Sequence, residues 1–333
     1  MSDTALASGA APSRARVLTA YAIIYVVWGS TYLGINIALE SLPPFLLAAA
    51  RFTTAGALLY IWMRARGAAR PSLNQWKGAA IVGGLLLFAG NGGVVWAQQY
   101  VPSGVAALLV ATLPLWMALL EWVGPDRRRP TAQVGLGLAV GLVGIVVLVG
   151  PGALTGQGNV SLVGAGALIL ASFAWAVGSL YARRAPVPAT PQLGTAMQML
   201  SGGLMLIVGG VLSGEASAIH LDAIATRSAV ALVYLIVFGS LIAFSAYVWL
   251  LRVEPPSRVA TYAYVNPVVA VTLGWLFAGE TLTPQTMIAA AIIIGAVVLI
   301  VSARKTPASR GGAHTPPPSA TTPRRRRRKP VNA

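Results

Sequence analysis

Ten stretches of mainly apolar residues follow one another along the chain. A helix needs about 20 apolar residues to cross the hydrocarbon core of a bilayer. The stretches fall at residues 18–39, 45–63, 78–99, 104–123, 132–149, 162–181, 192–212, 229–251, 258–277 and 285–302. The pattern therefore predicts an all-α integral membrane protein with ten transmembrane helices.

Short polar segments rich in turn-forming residues separate these stretches. They include SLPP at 41–44, VPSG at 101–104, PDRRRPT at 125–131 and EPPS at 254–257. Proline and glycine interrupt helices and favour turns. Consecutive helices are therefore expected to be antiparallel neighbours.

The composition agrees with a membrane location. Hydrophobic residues make up 56% of the chain and charged residues 10%, with a mean hydropathy of +0.72, whereas a typical soluble domain has about 25% charged residues. Cysteine is absent, which excludes disulfides, thiol nucleophiles and cysteine-based metal sites. The sequence has no paired carboxylates, no His-x-x-x-His spacing and no phosphate-binding glycine loop with its lysine. It therefore predicts neither an enzyme nor a bound metal or cofactor.

Charge indicates the orientation of the helices. If the N-terminus is cytoplasmic, the inner side carries Arg14, Arg16, Arg64, Arg66, Arg70, Lys77, Arg127, Arg128, Arg129, Arg183, Arg184, Arg252 and Arg258. The outer loops carry Glu40, Glu215, Asp222 and Glu280, with Arg227 as their one basic residue. Because loops rich in lysine and arginine stay in the cytoplasm, both termini are predicted to be cytoplasmic.

The two ends of the chain are predicted to be tails. Residues 1–17 form a cytoplasmic N-terminal tail without the apolar core of a cleavable signal peptide. Residues 303–333, which include TPPPSATTPRRRRRKP, form a disordered basic cytoplasmic tail. Such a tail is attracted to the anionic lipid of the bilayer. No aromatic residue interrupts its basic run as a stacking platform would require, so no nucleic-acid partner is expected.

The two halves of the chain match each other when shifted by 147 or 153 residues. The matched pairs include Trp28 with Trp175, Gly56 with Gly203, Trp96 with Trp249, and Pro114 with Pro267. Because five helices are an odd number, a second copy enters the membrane from the opposite side. We therefore predict two inverted five-helix repeats, 18–149 and 162–302, an arrangement that places a transporter's substrate site between the repeats near the middle of the membrane.

Several segments resemble a known family. They are WGSTYLGINIALESLPPFLLAAARF, GNGGVVWAQQYVPSGVAALLVATLPL, SFAWAVGSLY and YAYVNPVVAVTLGWLFAGETLT, which occur in order between roughly residues 18 and 302. In these the chain resembles the EamA-type branch of the drug/metabolite transporter superfamily. The resemblance implies a ten-helix permease of the bacterial inner (plasma) membrane, most often an exporter of metabolites, amino acids or toxic compounds.

The expected function is therefore the export of a small-molecule substrate by alternating access. No nucleotide-hydrolysing apparatus is recognisable, so proton exchange is the leading candidate for coupling, with facilitated diffusion as an alternative. A channel-like facilitator and a non-transporting membrane receptor or scaffold are the competing classes. The small-residue run GLGLAVGLVG at 135–144 can pack within one chain or between protomers, so the oligomeric state stays open.

The ninth helix carries the first candidate site. Tyr262 and Asn266 are four residues apart and share a helix face. Pro267 leaves the carbonyl near Ala263 without its helical donor and bends the helix, as Pro114 does in the fourth helix. Two interpretations stand side by side, because polar groups in membrane helices either bind substrate or join helices.

Other polar and aromatic residues lie deep within the predicted helices. We expect a substrate cavity lined by Trp28, Asn36, Asn91, Trp175, Tyr247, Tyr262 and Asn266. In the first helix Trp28, Thr31, Tyr32 and Asn36 are assigned to one stripe.

Arg51 is a charged residue within an apolar stretch, about 9 Å into the second helix. Its side chain can extend to the outer interface, bind an anionic substrate group, or pair with Glu280 or Glu40. We predict the structural pair, which gives Arg51 and Glu280 a role in the fold or the outer gate.

Overall fold

The computed structural model describes residues 13–123, 131–150, 160–254, 259 and 262–303. Within these ranges every regular element is a helix and no residue belongs to a β-strand. The first twelve residues of the predicted N-terminal tail and the basic tail from residue 304 onward lie outside the described residues.

Among the described residues, eight helices are long and apolar enough to cross a membrane. They are α1 (Arg14–Leu39), α2 (Pro44–Ala65), α3 (Leu73–Ala97), α4 (Ser103–Val123), α5 (Ala132–Val149), α6 (Leu162–Ala182), α7 (Pro191–Leu212) and α8 (Thr226–Tyr247, continuing to Val253). Two further helices, α9 (Tyr262–Phe277) and α10 (Pro284–Ala303), have shorter apolar stretches, Val265–Phe277 and Pro284–Ile300. The described chain is thus an all-helical protein of the multi-pass membrane type.

Helix α3 begins at Leu73, so the predicted start at residue 78 is wrong. A capping box starts the helix, in which the Ser72 hydroxyl accepts from the Gln75 amide at 3.3 Å and the Gln75 side chain accepts from the Ser72 amide at 2.9 Å. These two bonds satisfy amides that a helix N-terminus leaves without partners. Hydropathy alone misses the polar first turn.

Two of the long helices contain a π-helical segment. In α3 it covers Gly84–Gly92, and in α8 it covers Leu235–Ile242. A π segment widens the helix locally and shifts its hydrogen-bonding pattern, and such segments occur frequently at functional sites. Both segments contribute residues to the cavity described below.

Helix α4 is interrupted one turn before Pro114, where a bend was predicted. It consists of the segments Ser103–Val110 and Leu113–Val123. Proline has no amide hydrogen to donate, so the Val110 carbonyl needs another partner. The hydroxyl of Ser172 in α6 donates to this carbonyl at 3.1 Å. Helix α6 therefore supplies the hydrogen bond that the proline removes.

Glycines allow the closest helix pairs to form. A Cβ atom on Gly56 of α2 would lie 2.9 Å from a side chain of α7, and one on Gly203 of α7 would lie 2.6 Å from a side chain of α2. In the run at 135–144, a Cβ on Gly137 or Gly144 would lie within 2.7 Å of isoleucines in α10. These two glycines of the run therefore pack against their own chain.

Candidate functional site

A cavity lies among seven helices drawn from both halves of the chain. It encloses about 90 Å³, and since one water molecule needs about 10–15 Å³ of such space, a small solute has room there. The lining residues are Trp28, Thr31, Tyr32 and Ile35 of α1; Arg51 and Phe52 of α2; Leu87, Gly90, Asn91 and Val94 of α3; Ala107, Val110, Ala111 and Leu113 of α4; Ala171, Ser172 and Trp175 of α6; Gly239 and Phe244 of α8; and Tyr262, Asn266 and Pro267 of α9. The walls are mostly apolar with a few polar groups, as in many small-molecule sites.

Two tryptophans hold equivalent places in this cavity. The indole nitrogen of Trp28 donates to the carbonyl of Gly239, in the π segment of α8, at 3.2 Å. Trp175 packs on Gly90, in the π segment of α3, so closely that a Cβ atom there would lie 2.9 Å from its ring. Each tryptophan thus contacts a π-segment glycine of the other half of the chain.

Trp28 belongs to an aromatic cluster. Its ring centroid lies 5.0 Å from that of Tyr247, 5.2 Å from that of Tyr262 and 6.2 Å from that of Phe244, in tilted or edge-on arrangements. Tyr262 and Phe244 line the cavity, whereas Tyr247 supports Trp28 without reaching the lining. Such ring pairs prefer these geometries and restrict the orientation of the tryptophan.

Asn266 contacts a neighbouring helix as well as the cavity. With its amide nitrogen oriented as the donor, that nitrogen lies 3.2 Å from the carbonyl of Tyr262 in its own helix and 3.2 Å from the carbonyl of Tyr25 in α1. The residue is 7% exposed and lines the cavity. The structure therefore provides a contact for each interpretation of Asn266: its bond to α1 fits a role in joining helices, and its place in the cavity wall fits a role in binding substrate.

Asn36 does not reach the lining, where α1 instead contributes Ile35. On a helix of 3.6 residues per turn, a position eight residues after Trp28 is rotated by about 80°, whereas one seven residues after it is rotated by only about 20°. The structure therefore separates Asn36 from the other predicted residues of α1. Asn91 does line the cavity, and within the described part of the chain its buried side-chain oxygen has no hydrogen-bond partner.

Arg51 lies in the wall of the cavity and is 4% exposed. Its Nε donates to the hydroxyl of Ser240 in α8 at 2.9 Å, and its guanidinium carbon lies 4.8 Å from the ring centroid of Phe52. Its Nη1 is buried and has no hydrogen-bond partner among the residues that the structure describes. Burial also excludes the extended interfacial position considered from the sequence.

The predicted ion pair of Arg51 with Glu280 or Glu40 is wrong. The Glu280 carboxylate accepts from the backbone amides of Ser103 and Gly104, at 2.6 and 3.0 Å, and Glu40 pairs with Arg227 at 3.2 Å. The first turn of a helix has free amides and a positive dipole end, both of which attract a carboxylate. Glu280 therefore caps α4 instead of pairing with Arg51.

Comparisons with known proteins agree with this structure. The chain matches the EamA-like transporter family over residues 17–150 and again over 162–302. The uncharacterized inner membrane transporter YedA of Escherichia coli (strain K12) is 41% identical over 262 residues, which cover 78% of this chain and 82% of YedA. A probable amino-acid metabolite efflux pump of Salmonella typhimurium (strain LT2) is 27% identical over 276 residues, which cover 80% of this chain and 89% of the pump.

A solved crystal structure shares the fold. It is 23% identical in sequence, covers 88% of this chain and 100% of its own, and has a TM-score of 0.61. The chain is thus an all-helical, multi-pass protein with a cavity lined by both of its halves, and its relatives in sequence are named inner membrane transporters. The chain belongs to the EamA-like transporter family.

Proposed function

We propose that the protein exports a small metabolite across the bacterial inner membrane by alternating access between two inverted five-helix halves, 18–149 and 162–302. The names of its relatives support export, since one is a probable efflux pump. The family match divides the chain into the same two parts. The cavity, with room for a small solute, is lined by residues of both halves.

The pair of tryptophan contacts supports this proposal most strongly. Trp175 follows Trp28 by 147 positions, and Gly239 follows Gly90 by 149. Trp28 donates a hydrogen bond to Gly239 and Trp175 packs on Gly90, so in each half a tryptophan contacts a glycine at a similar position of the other half. Two halves related in this way can rock about a central site, closing it first on one side and then on the other.

In this proposal the substrate contacts Trp28, Asn91, Trp175, Tyr262 and Asn266. Tyr247 supports the first of these rings, Pro267 and the break before Pro114 shape the walls, and Asn36 has no direct contact.

The proposed orientation has both termini in the cytoplasm. Basic residues gather at the end of the helices that carries Arg64 and Arg183, and the opposite end carries Glu215 and Glu280. The one basic residue at the acidic end, Arg227, is paired with a glutamate. Reporters fused at Gly156 and Arg184 should report opposite sides of the membrane, and the same side at both positions would contradict this topology.

Transport itself is testable with purified protein in liposomes. Solute flux is measured from liposomes loaded with a metabolite mixture, with and without a pH gradient, against liposomes without protein. We expect saturable flux that concentrates the substrate only while a proton gradient is present. Concentrative flux that survives collapse of the gradient would exclude proton coupling, and no flux of any solute would favour a receptor or scaffold.

A further inference from the structure

Arg51 places a positive charge in the wall of the cavity without a counter-ion. A guanidinium stays charged at physiological pH, and no carboxylate forms an ion pair with it among the residues that the structure describes. Its partners are a hydroxyl group, through Nε, and the face of an aromatic ring. Buried charges are normally paired because an unpaired one is costly to remove from water. A negative group that enters the cavity would complete this site.

The position that corresponds to Arg51 in the second half carries no charge. Gln198 holds the corresponding position of α7, 147 residues later, and it carries no charge. The close α2–α7 contact therefore forms between a helix with the arginine and one without it. A charge found on one side of a repeated contact is better explained by a ligand than by the architecture.

Asn91 supplies the second unsatisfied group in the same cavity. Among the residues that the structure describes, its side-chain oxygen is buried without a partner, as is Nη1 of Arg51. Around these two polar atoms the walls contain the rings of Trp28, Trp175 and Tyr262. A complementary solute has a negative group for the arginine and an apolar or aromatic remainder for the rings, and the Asn91 amide can turn so that its nitrogen donates to the same negative group.

We infer that the substrates are small monocarboxylate anions with an apolar or aromatic remainder, whose carboxylate binds Arg51. This inference rests on the proposed transport function and names the substrate class of that same cavity. One guanidinium and no acidic side chain among the lining residues match one negative charge, which argues against cations and against zwitterions that need an acidic partner for their ammonium group.

The test compares matched compounds on purified protein in detergent. Thermal unfolding, followed by tryptophan fluorescence, is measured with 3-phenylpropionate, with its uncharged amide, with L-phenylalanine and with inorganic phosphate. We expect the carboxylate to raise the unfolding temperature and the other three compounds to have little effect. Shorter carboxylates down to propionate, each beside its amide, extend the series to the size of the cavity.

Variants then assign the effect to Arg51. Arg51→Gln introduces the residue that α7 carries at the corresponding position, and it should weaken carboxylate binding by about thirtyfold or more, because the bound charge loses its partner. Arg51→Lys, which keeps the charge, should retain part of the affinity. Arg227→Gln is the matched control, because it removes an exposed arginine outside the cavity and should leave binding unchanged.

Several results would overturn the inference. They are equal stabilisation by carboxylate and amide, stabilisation by phenylalanine or phosphate alone, no stabilisation by any monocarboxylate, and full affinity in Arg51→Gln. If that variant does not fold, the carboxylate–amide comparison on the unmodified protein and Arg51→Lys decide. Flux of an uncharged solute in liposomes would support the transport function and refute the anion site. Carboxylate binding without any flux would support the anion site and refute the transport function.

Discussion

Glu280 should be a structural residue that holds the first turn of α4, and removing its carboxylate should destabilise the protein. The carboxylate accepts from the amides of Ser103, at 2.6 Å, and Gly104, at 3.0 Å. Ser103 and Gly104 are buried, so in Glu280→Ala both of their amides lose their acceptor. Each unsatisfied amide costs about 1–3 kcal/mol, so we expect a loss of about 2–6 kcal/mol for the two. Glu280→Gln keeps one acceptor and should lose less.

Two other glutamates at the same end of the molecule serve as comparisons, because removing their carboxylates should cost less stability. Glu215 caps α2 through the amides of Phe45 and Leu46, at 3.1 and 2.9 Å, which are only partly buried. Glu215→Ala should therefore lose less stability than Glu280→Ala. Glu40 forms an exposed ion pair, and Glu40→Ala should change stability by no more than about 1 kcal/mol.

A double-mutant cycle distinguishes the helix cap from the ion pair that the sequence predicts. Stability of Glu280→Ala, Arg51→Gln and their combination is measured by unfolding in detergent under identical conditions. Because the two side chains bind different partners, we expect the losses to add within about 0.5 kcal/mol. A coupling clearly above that value, or an unchanged stability of Glu280→Ala, would refute the helix-cap interpretation.

Two further predictions concern the contact of α1 with α9 and α8. Gly29→Ala should destabilise the protein by about 1–3 kcal/mol, since its Cβ would lie 2.6 Å from a valine of α9, whereas Gly295→Ala, where nothing lies within 4 Å, should cost nothing in the same unfolding assay. Asn266→Leu and Ser228→Ala each remove a hydrogen bond to a carbonyl of α1 and should each cost about 1 kcal/mol. Only Asn266 lines the cavity, so only its variant should lose transport per folded protein, and equal transport in both would make Asn266 a helix contact alone.

Hydropathy predicted the eight described helices that are long enough to span a membrane, because a spanning segment must be mainly apolar, whereas the last two predicted spans correspond to helices with shorter apolar stretches. It placed the start of α3 too late because the first turn there is polar, although the Ser72–Gln75 spacing of a capping box is visible in the sequence. The π segments of α3 and α8 had no recognisable signal. A change from one helical hydrogen-bonding pattern to another depends on the neighbouring helices, and the glycines that mark it resemble ordinary packing residues.

The sequence indicated several residues that line the cavity, but it did not indicate which groups Arg51 and Glu280 bind. Tryptophan and asparagine deep in apolar helices led to Trp28, Asn91 and Trp175, which the cavity brings together. The partner of Arg51 was missed because its nearest carboxylates along the predicted topology were those at the outer end. A helix N-terminus competes for a carboxylate with its free amides, and no spacing in the sequence shows which helix end lies beside Glu280.

The two proposed repeats share their tryptophan–glycine packing contacts but differ in the polar residues that line the cavity. The tryptophan–glycine contacts occur in both halves, so they can exchange roles when the halves rock. Arg51 corresponds to Gln198 at the 147-residue offset, and Asn266 corresponds to Leu113 at the 153-residue offset, so the polar groups have no second copy. A cavity with one charged wall favours one orientation of an amphipathic solute. In the proposed mechanism, the repeated packing therefore accounts for the movement, and the unrepeated polar residues account for the choice of substrate.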